Sequence, residues 1–270
     1  MSLRDAPLLY VFYETASLER ERELCEDILG LEVIENQFHP PHEYHGLVKY
    51  DGGGTILSLN LAREARFGKD ASDGLITVLT VEDEEAIFER LSKQGYRPPR
   101  EAGGLFTDEY GHHYMFNSAT GPTVPHATKL PAVQEFRLIV SDLPASVAFY
   151  GEILGLELLA QTEDSARFAT GTTDIVLQQG QVAPDGRPTR YTTILIVFYT
   201  YKIVERWETL MERGLVFKSH HVGFSDIGGS VRFFDPSGHT YCLYEPSDES
   251  LTWGSGPKVR ELIAEQALAD

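Results

Sequence analysis

A chain of 270 residues, 42% hydrophobic and 24% charged, has the composition of a globular protein long enough for two domains, each burying its own core. Its formal net charge of −18 opposes binding to nucleic acid or to an anionic membrane surface, since both are polyanions. The apolar run Ile194 to Tyr199 is far too short to cross a bilayer, and the opening Met1-Ser2-Leu3-Arg4-Asp5 lacks the apolar core of a secretory signal. With only two cysteines, Cys25 and Cys242, far apart in sequence, the expected compartment is the reducing cytoplasm.

In chain order, Leu8 to Tyr13 reads as a strand, Ser17 as the cap of a helix and Gly30 as its stop. Leu47 to Tyr50 and Thr55 to Leu61 then flank Asp51-Gly52-Gly53-Gly54 as a hairpin, and no Lys-Ser/Thr follows the glycines to make a phosphate loop. Ile76 to Val81 leads into a helix with Ile87, Phe88 and Leu91 inward and Gly95 at its end, and Tyr114 to Phe116 closes the unit. Ser118 to Ala132, with Gly121, Pro122, Pro125 and Pro131, has a linker's composition. The strand Val133 to Val140 follows, then a cap at Ser141-Asp142, Pro144 in the first helical turn, and Gly155 as the stop. Short strands are expected around Arg167 to Thr170 and Thr173 to Gln179. Thr193 to Tyr199 leads into a helix carrying Ile203, Trp207, Leu210 and Met211 and ending at Gly214, and Tyr241 to Tyr244 is the last strand. An amphipathic helix from Pro257 to Ala267 is expected to pack on the outside.

The second half repeats the punctuation of the first. Ile28-Leu29-Gly30-Leu31-Glu32 is echoed by Ile153-Leu154-Gly155-Leu156-Glu157, 125 residues on, and Asp108-Glu109-Tyr110-Gly111-His112 by Asp235-Pro236-Ser237-Gly238-His239, 127 residues on. Two landmarks at nearly one spacing indicate duplication of whole domains, each half holding two strand–helix–strands modules.

Asp142-Leu143, Phe149-Tyr150, Leu154-Gly155-Leu156 and Asp235-Pro236-Ser237-Gly238-His239 together resemble the vicinal oxygen chelate superfamily of glyoxalases, bleomycin- and fosfomycin-resistance proteins and extradiol dioxygenases. The resemblance implies an α+β fold of two tandem domains, each made of paired βαβββ modules that form a curved, cup-like mixed sheet. The corresponding division is 1–120 and 133–250, with 121–132 as linker and 251–270 as a C-terminal helical extension. Residues 7–120 and 132–247 are then expected to superpose, each curling around its own cavity.

The resemblance also implies a divalent metal in each cup, held by histidines on first strands and a glutamate on a last strand. The matching positions here are Glu135, the stretch Thr193 to Leu195, and Cys242 in the second half, and Tyr10, about Ile76, and Met115 in the first. One hard ligand among six positions makes a metal-free site the expectation, with no cofactor; the fallback is one Fe, Mn, Zn or Ni ion on Glu135 with a nearby histidine. Alternation on Val133 to Val140 turns Glu135, Arg137 and Ile139 toward the cup. Glu135 is the candidate general base and Arg137 a candidate ligand anchor, the plainer reading being a buried or half-buried ion pair. Cys242, Tyr244, Tyr10 and His220 are the further candidates for ligand contact, beside Phe12, Tyr114 and Phe116 on cup-building strands. Of the pair His220-His221, alternation should send one inward. His39, His42 and His45 form a polar cluster broken by two prolines.

The expected ligand is a small, largely apolar or aromatic molecule with a polar tip, bound mainly in the second half's cup. If the protein is catalytic, the family's reactions are those of a dioxygenase, lyase or isomerase. A structural or partner-binding module with vestigial cups, and a homodimer, are compatible with the same residues. Neither nucleic acid nor membrane is an expected partner.

Overall fold

The computed structural model describes residues 2–4, 6–37, 46–61, 74–99, 101–119, 127, 129–181 and 194–264. The histidines His39, His42 and His45, Thr193 and most of the linker lie outside them. Four modules follow one another. The first comprises strand β1 (Leu8–Thr15), helix α1 (Leu18–Arg22) continued by a π-helical segment (Glu23–Leu29), β2 (Glu32–Asn36), β3 (Leu47–Asp51) and β4 (Ile56–Leu61). The second has β5 (Leu75–Val81), α2 (Glu84–Lys93), β6 (Phe106–Thr107) and β7 (His113–Ser118). The third has β8 (Ala132–Val140), α3 (Leu143–Ala148) with its own π-helical segment (Phe149–Leu154), β9 (Glu157–Gln161), β10 (Ser165–Ala169) and β11 (Asp174–Gln179). The fourth has β12 (Ile194–Tyr199), α4 (Ile203–Glu212), β13 (Gly223–Ser225), β14 (Gly228–Phe234) and β15 (Thr240–Pro246), and is followed by a short turn at Ser250–Thr252 and helix α5 (Gly256–Ala264).

The local punctuation acts as the residue types require. Ser17 accepts from Arg20 N (3.3 Å) and Asp142 from Ala145 N (2.9 Å), each satisfying an otherwise orphaned helix donor. Gly30 and Gly155 end their helices at φ +81° and +75°, a left-handed geometry that a side chain would strain. Leu143, Tyr150 and Leu154 are buried on one helical face, and Ile87 and Leu91 of α2 are buried as expected.

The modules pair crosswise. One eight-stranded sheet runs β13-β14-β15-β12-β1-β4-β3-β2 and the other, of seven strands, runs β6-β7-β5-β8-β11-β10-β9. The first module therefore shares a sheet with the fourth, and the second with the third, through the antiparallel pairs β1/β12 and β5/β8. Neither half closes a sheet of its own, so the expectation of one cup per half is corrected. The paired βαβββ architecture stands, but the partner of each module lies in the other half. Hairpin tips tie the two sheets together: Val133 N donates to Gly52 O (2.9 Å) and Leu8 N to Thr172 Oγ1 (3.1 Å). A Cβ on Gly54 would come within 2.8 Å of Thr173 Oγ1, which explains the glycine there better than any ligand does.

The helices cover one face of the sheets and form the main core with Val11, Tyr13, Tyr114, Phe116, Phe136 and Leu138. The other face of the eight-stranded sheet carries a second cluster, in which Tyr10, Ile56, Val197 and Cys242 meet Val259 and Leu262 of α5. The C-terminal helix is thus not packed on the outside: its apolar stripe lies against the concave face. No helix among the described residues is long and apolar enough to cross a membrane.

Candidate functional site

The eight-stranded sheet curves around a cavity of about 280 Å³. Alternation on β1 sends Val11 and Tyr13 to the helices and Tyr10, Phe12 and Glu14 to the cavity. From β12 come Leu195 and Val197, from β15 Cys242 and Tyr244, from β14 Ser230 and Arg232, and from β3 Lys49. Ser250 and Trp253 of the C-terminal extension complete the wall. Tyr10 stands 5.4 Å from Phe12 and 6.3 Å from Tyr244, ring centre to ring centre, and Tyr244 donates its hydroxyl to Ile227 O (2.6 Å).

Register fixes the middle of the floor. Tyr10 pairs with Val197, and Val197 with Cys242, placing one residue from each of three adjacent strands in a row. The seven-stranded sheet has the same row: Glu135 pairs with Val78, and Val78 with Met115. The partner-module position is therefore Val78 and Val197, two residues beyond the stretches inferred from the sequence. Bulges between Leu8 and Tyr10 and between Val78 and Leu79 shift the count.

These rows decide what metal chemistry the cups can support. Burial raises the Tyr10 phenol well above its ordinary value and pushes the Cys242 thiol up to about 11, so both keep their protons near neutrality. A phenol, an isopropyl group and a thiol do not fit a hard divalent ion. In the other cup, Glu135 is 1% exposed and both its oxygens are engaged, one by Arg137 Nε (2.6 Å) and the other by Arg167. Arg167 also pairs with Asp174 (3.0 Å), and Arg137 reaches Met115 Sδ (3.9 Å). Glu135 and Arg137 lie on the face away from the main core, but as the half-buried ion pair of the plainer reading. Among the described residues one group of three close ligand types exists, Glu21, Asp108 and His112. It lies in the main core beneath α1, where His112 Nδ1 is 2.9 Å from Asp108 Oδ2.

The structure thus brings Tyr10, Cys242 and Tyr244 together, with Phe12, across the two halves of the chain. It separates them from Glu135 and Arg137, which belong to the other sheet. His220 is corrected: both it and His221 are exposed, because buried Val222 takes the inward place and Phe217 bridges to Phe233. Tyr114 and Phe116 lie on a cup-building strand but point into the main core.

Sequence reasoning missed a buried ion pair in the cavity wall. Lys49 Nζ donates to Glu35 Oε2 (3.0 Å) and to Ser255 Oγ (3.1 Å), while Ser255 gives Glu35 both its backbone N–H (2.9 Å) and its hydroxyl (2.5 Å). The ammonium lies 5.3 Å from the Tyr10 ring centre and 5.9 Å from that of Trp253. Burial works to raise the Glu35 carboxyl, but the Ser255 donors and the Lys49 charge outweigh it and hold the group below its ordinary value. For Lys49 burial wins, and the amine is lowered despite Glu35. The only local hint was a lysine inside an apolar strand. Its partner Ser255 lies 206 residues away.

Residues 123–243 match the family model described as Glyoxalase/Bleomycin resistance protein/Dioxygenase superfamily. Among solved structures, the chain is similar to a candidate dioxygenase from Bacillus subtilis, at 14% identity and TM-score 0.65, covering 97% of this chain and 96% of that one. It is also similar to glyoxalase I from Zea mays, at 17% identity and TM-score 0.66, covering 96% of each chain. At these identities the likeness is one of fold. A search of curated proteins finds no match.

Proposed function

We propose, from the match of residues 123–243 to the Glyoxalase/Bleomycin resistance protein/Dioxygenase superfamily model, that the chain binds a small, largely apolar or aromatic molecule in the cup of the eight-stranded sheet, without that superfamily's metal triad. The row Tyr10–Val197–Cys242 carries this reading, since it puts protonated and apolar groups where a metal would need anionic or imidazole donors. Aromatic and aliphatic walls with a few polar groups are what a small-molecule pocket requires. Tyr10 and Tyr244 supply ring surface, and Cys242 supplies floor area and no nucleophile. Trp253 adds a further aromatic face to the lining.

In this reading Glu135, Arg137 and Arg167 form a fixed polar floor of the second cup. A base role for Glu135 would require breaking two ion pairs.

The reading is tested in two measurements. Protein purified without added metal should carry well under one divalent ion per chain by elemental mass spectrometry, and stoichiometric iron, manganese, zinc or nickel surviving dialysis would overturn the metal-free part. A titration with 2-naphthol should change the fluorescence of Trp253, and Leu195→Trp, which fills the cavity, should abolish binding. Retained binding in that variant would move the ligand out of this cup.

A further inference from the structure

The lining of this cavity departs from the acidic balance of the molecule. The chain has 41 acidic against 23 basic side chains, yet the charged residues lining the cavity are Lys49, Arg232 and a single carboxylate, Glu14. Lys49 is neutralised by Glu35 at 3.0 Å. Arg232 is not. Its guanidinium makes no hydrogen bond or ion pair with a described residue, and acts only through space on Glu14, Cys242 and Lys218.

Position makes this charge useful. Arg232 pairs with Cys242 across β14 and β15, so it stands at the end of the row Tyr10–Val197–Cys242. Its neighbour Lys218, with Nζ 4.7 Å from the Phe234 ring centre, has the same sign, and its amine is lowered first by burial and then by Arg232. Burial raises the Glu14 carboxyl, and Arg232 offsets only part of that rise. This end of the lining therefore has one cation unpaired among the described residues, Arg232, and one carboxylate, Glu14, while the exposed Lys218 stands beside Arg232 outside the lining.

Resting on the reading of this cup as a ligand site, we propose that it selects a flat apolar monocarboxylate, with its ring system on Phe12, Leu195, Val197 and Tyr244 and its carboxylate on Arg232. A guanidinium offers two parallel N–H donors to a carboxylate. The cavity volume limits the body to one or two fused rings. Glu14 opposes a second negative charge, so a monoanion is favoured over a dianion.

Calorimetry on the whole protein with three probes of one shape and different charge, 2-naphthoate, neutral 2-naphthamide and cationic 2-naphthylmethylamine, tests this. The expected result is naphthoate binding about tenfold or more tighter than naphthamide, the range for a hydrogen bond to a charged group, with the amine weakest. Arg232→Gln should erase the preference for naphthoate while leaving naphthamide affinity unchanged, and Arg232→Lys should restore part of it. An unchanged melting temperature in Arg232→Gln excludes misfolding as the cause. Equal affinity for naphthoate and naphthamide, or a preference that survives Arg232→Gln, overturns the anion inference and leaves the cup as a site. Failure of all three probes to bind the unmodified protein overturns both.

Discussion

The two Asp-x-x-Gly-His turns occupy equivalent places in the fold and are both buried, but among different neighbours. In the fourth module Asp235 accepts from Ser237 N, His239 N, His239 Nδ1 and the Tyr150 hydroxyl, all between 2.7 and 2.9 Å. In the second, Asp108 accepts from Tyr110 N, His112 N and His112 Nδ1, all between 2.8 and 2.9 Å. Where Tyr150 fills the space under the later turn, Cys25 stands under the earlier one. Where Ser146 lies nine residues before the helix-stopping glycine, the earlier helix has Glu21, its carboxylate 3.7 Å from His112 Nδ1. The same backbone thus tolerates either a neutral phenol or a second buried carboxylate beside its Asp–His pair. The turn is a scaffold whose surroundings have diverged.

The comparison breaks most visibly at the aspartates. Asp235→Ala strips four donors of their acceptor and should cost about 3 to 5 kcal/mol, the range for removing one partner of a buried charged pair. Asp108→Ala removes the like charge that helps keep Glu21 protonated, so Glu21 can ionise as counter-charge to His112, and the change should cost about 1 to 3 kcal/mol. Urea unfolding of both variants measures the order, and a reversed order would mean that Glu21 compensates nothing.

The next effect is on pH dependence. Burial drives Glu21 up to about 7 from an ordinary 4.5, so it holds its proton in the folded chain where the unfolded chain has lost it. Its contribution to stability therefore declines as pH rises from about 4.5 to 7. Burial alone would lower His112, but Asp108 and Glu21 outweigh it and raise it from 6.5 to about 10. That stabilisation is complete below 6.5 and is lost as pH climbs toward 10. The two slopes share a sign. In Glu21→Gln the fall between pH 5 and 7 should shrink by on the order of 2 kcal/mol, as read from unfolding midpoints across that range. A wild-type slope retained in full would show that Glu21 is ionised throughout.

The smallest effect separates the two cysteines. Burial raises Cys25 well above its ordinary value and Cys242 to about 11, but Cys242 lies on the floor of an open cavity. At pH 8 Cys242 should react with iodoacetamide roughly two orders of magnitude more slowly than a free cysteine, and Cys25 only on unfolding. Peptide mass spectrometry after timed labelling distinguishes them, and fast labelling of Cys242 would show a reactive thiolate in the cup.

Much of the fold was legible because its signals are local. Ser17, Asp142, Gly30 and Gly155 act through their own backbone neighbours, and alternation on β8 correctly turned Glu135, Arg137 and Ile139 to one face. The pairing of modules was not legible. β1, β5, β8 and β12 are all apolar on the core face, so nothing local distinguishes β12 from β5 as the partner of β1. For the same reason Glu135 and Cys242 were assigned to one cup. The amphipathic pattern of α5 showed that a face is buried but not against what. The Glu35–Lys49–Ser255 contact joins residues more than 200 positions apart and leaves no periodic trace.

Crosswise pairing also sets an order of assembly during synthesis. The seven-stranded sheet draws only on β5 to β11, a continuous stretch, so it can close while the chain is still being extended. β1 can pair early with β4 of its own module, yet its other edge finds β12 only some 180 residues later and stays open until the fourth module leaves the ribosome. Contacts of such long sequence separation form slowly, and unpaired strands exposed meanwhile favour aggregation. The N-terminal module is thus the part of the nascent chain for which a chaperone matters most.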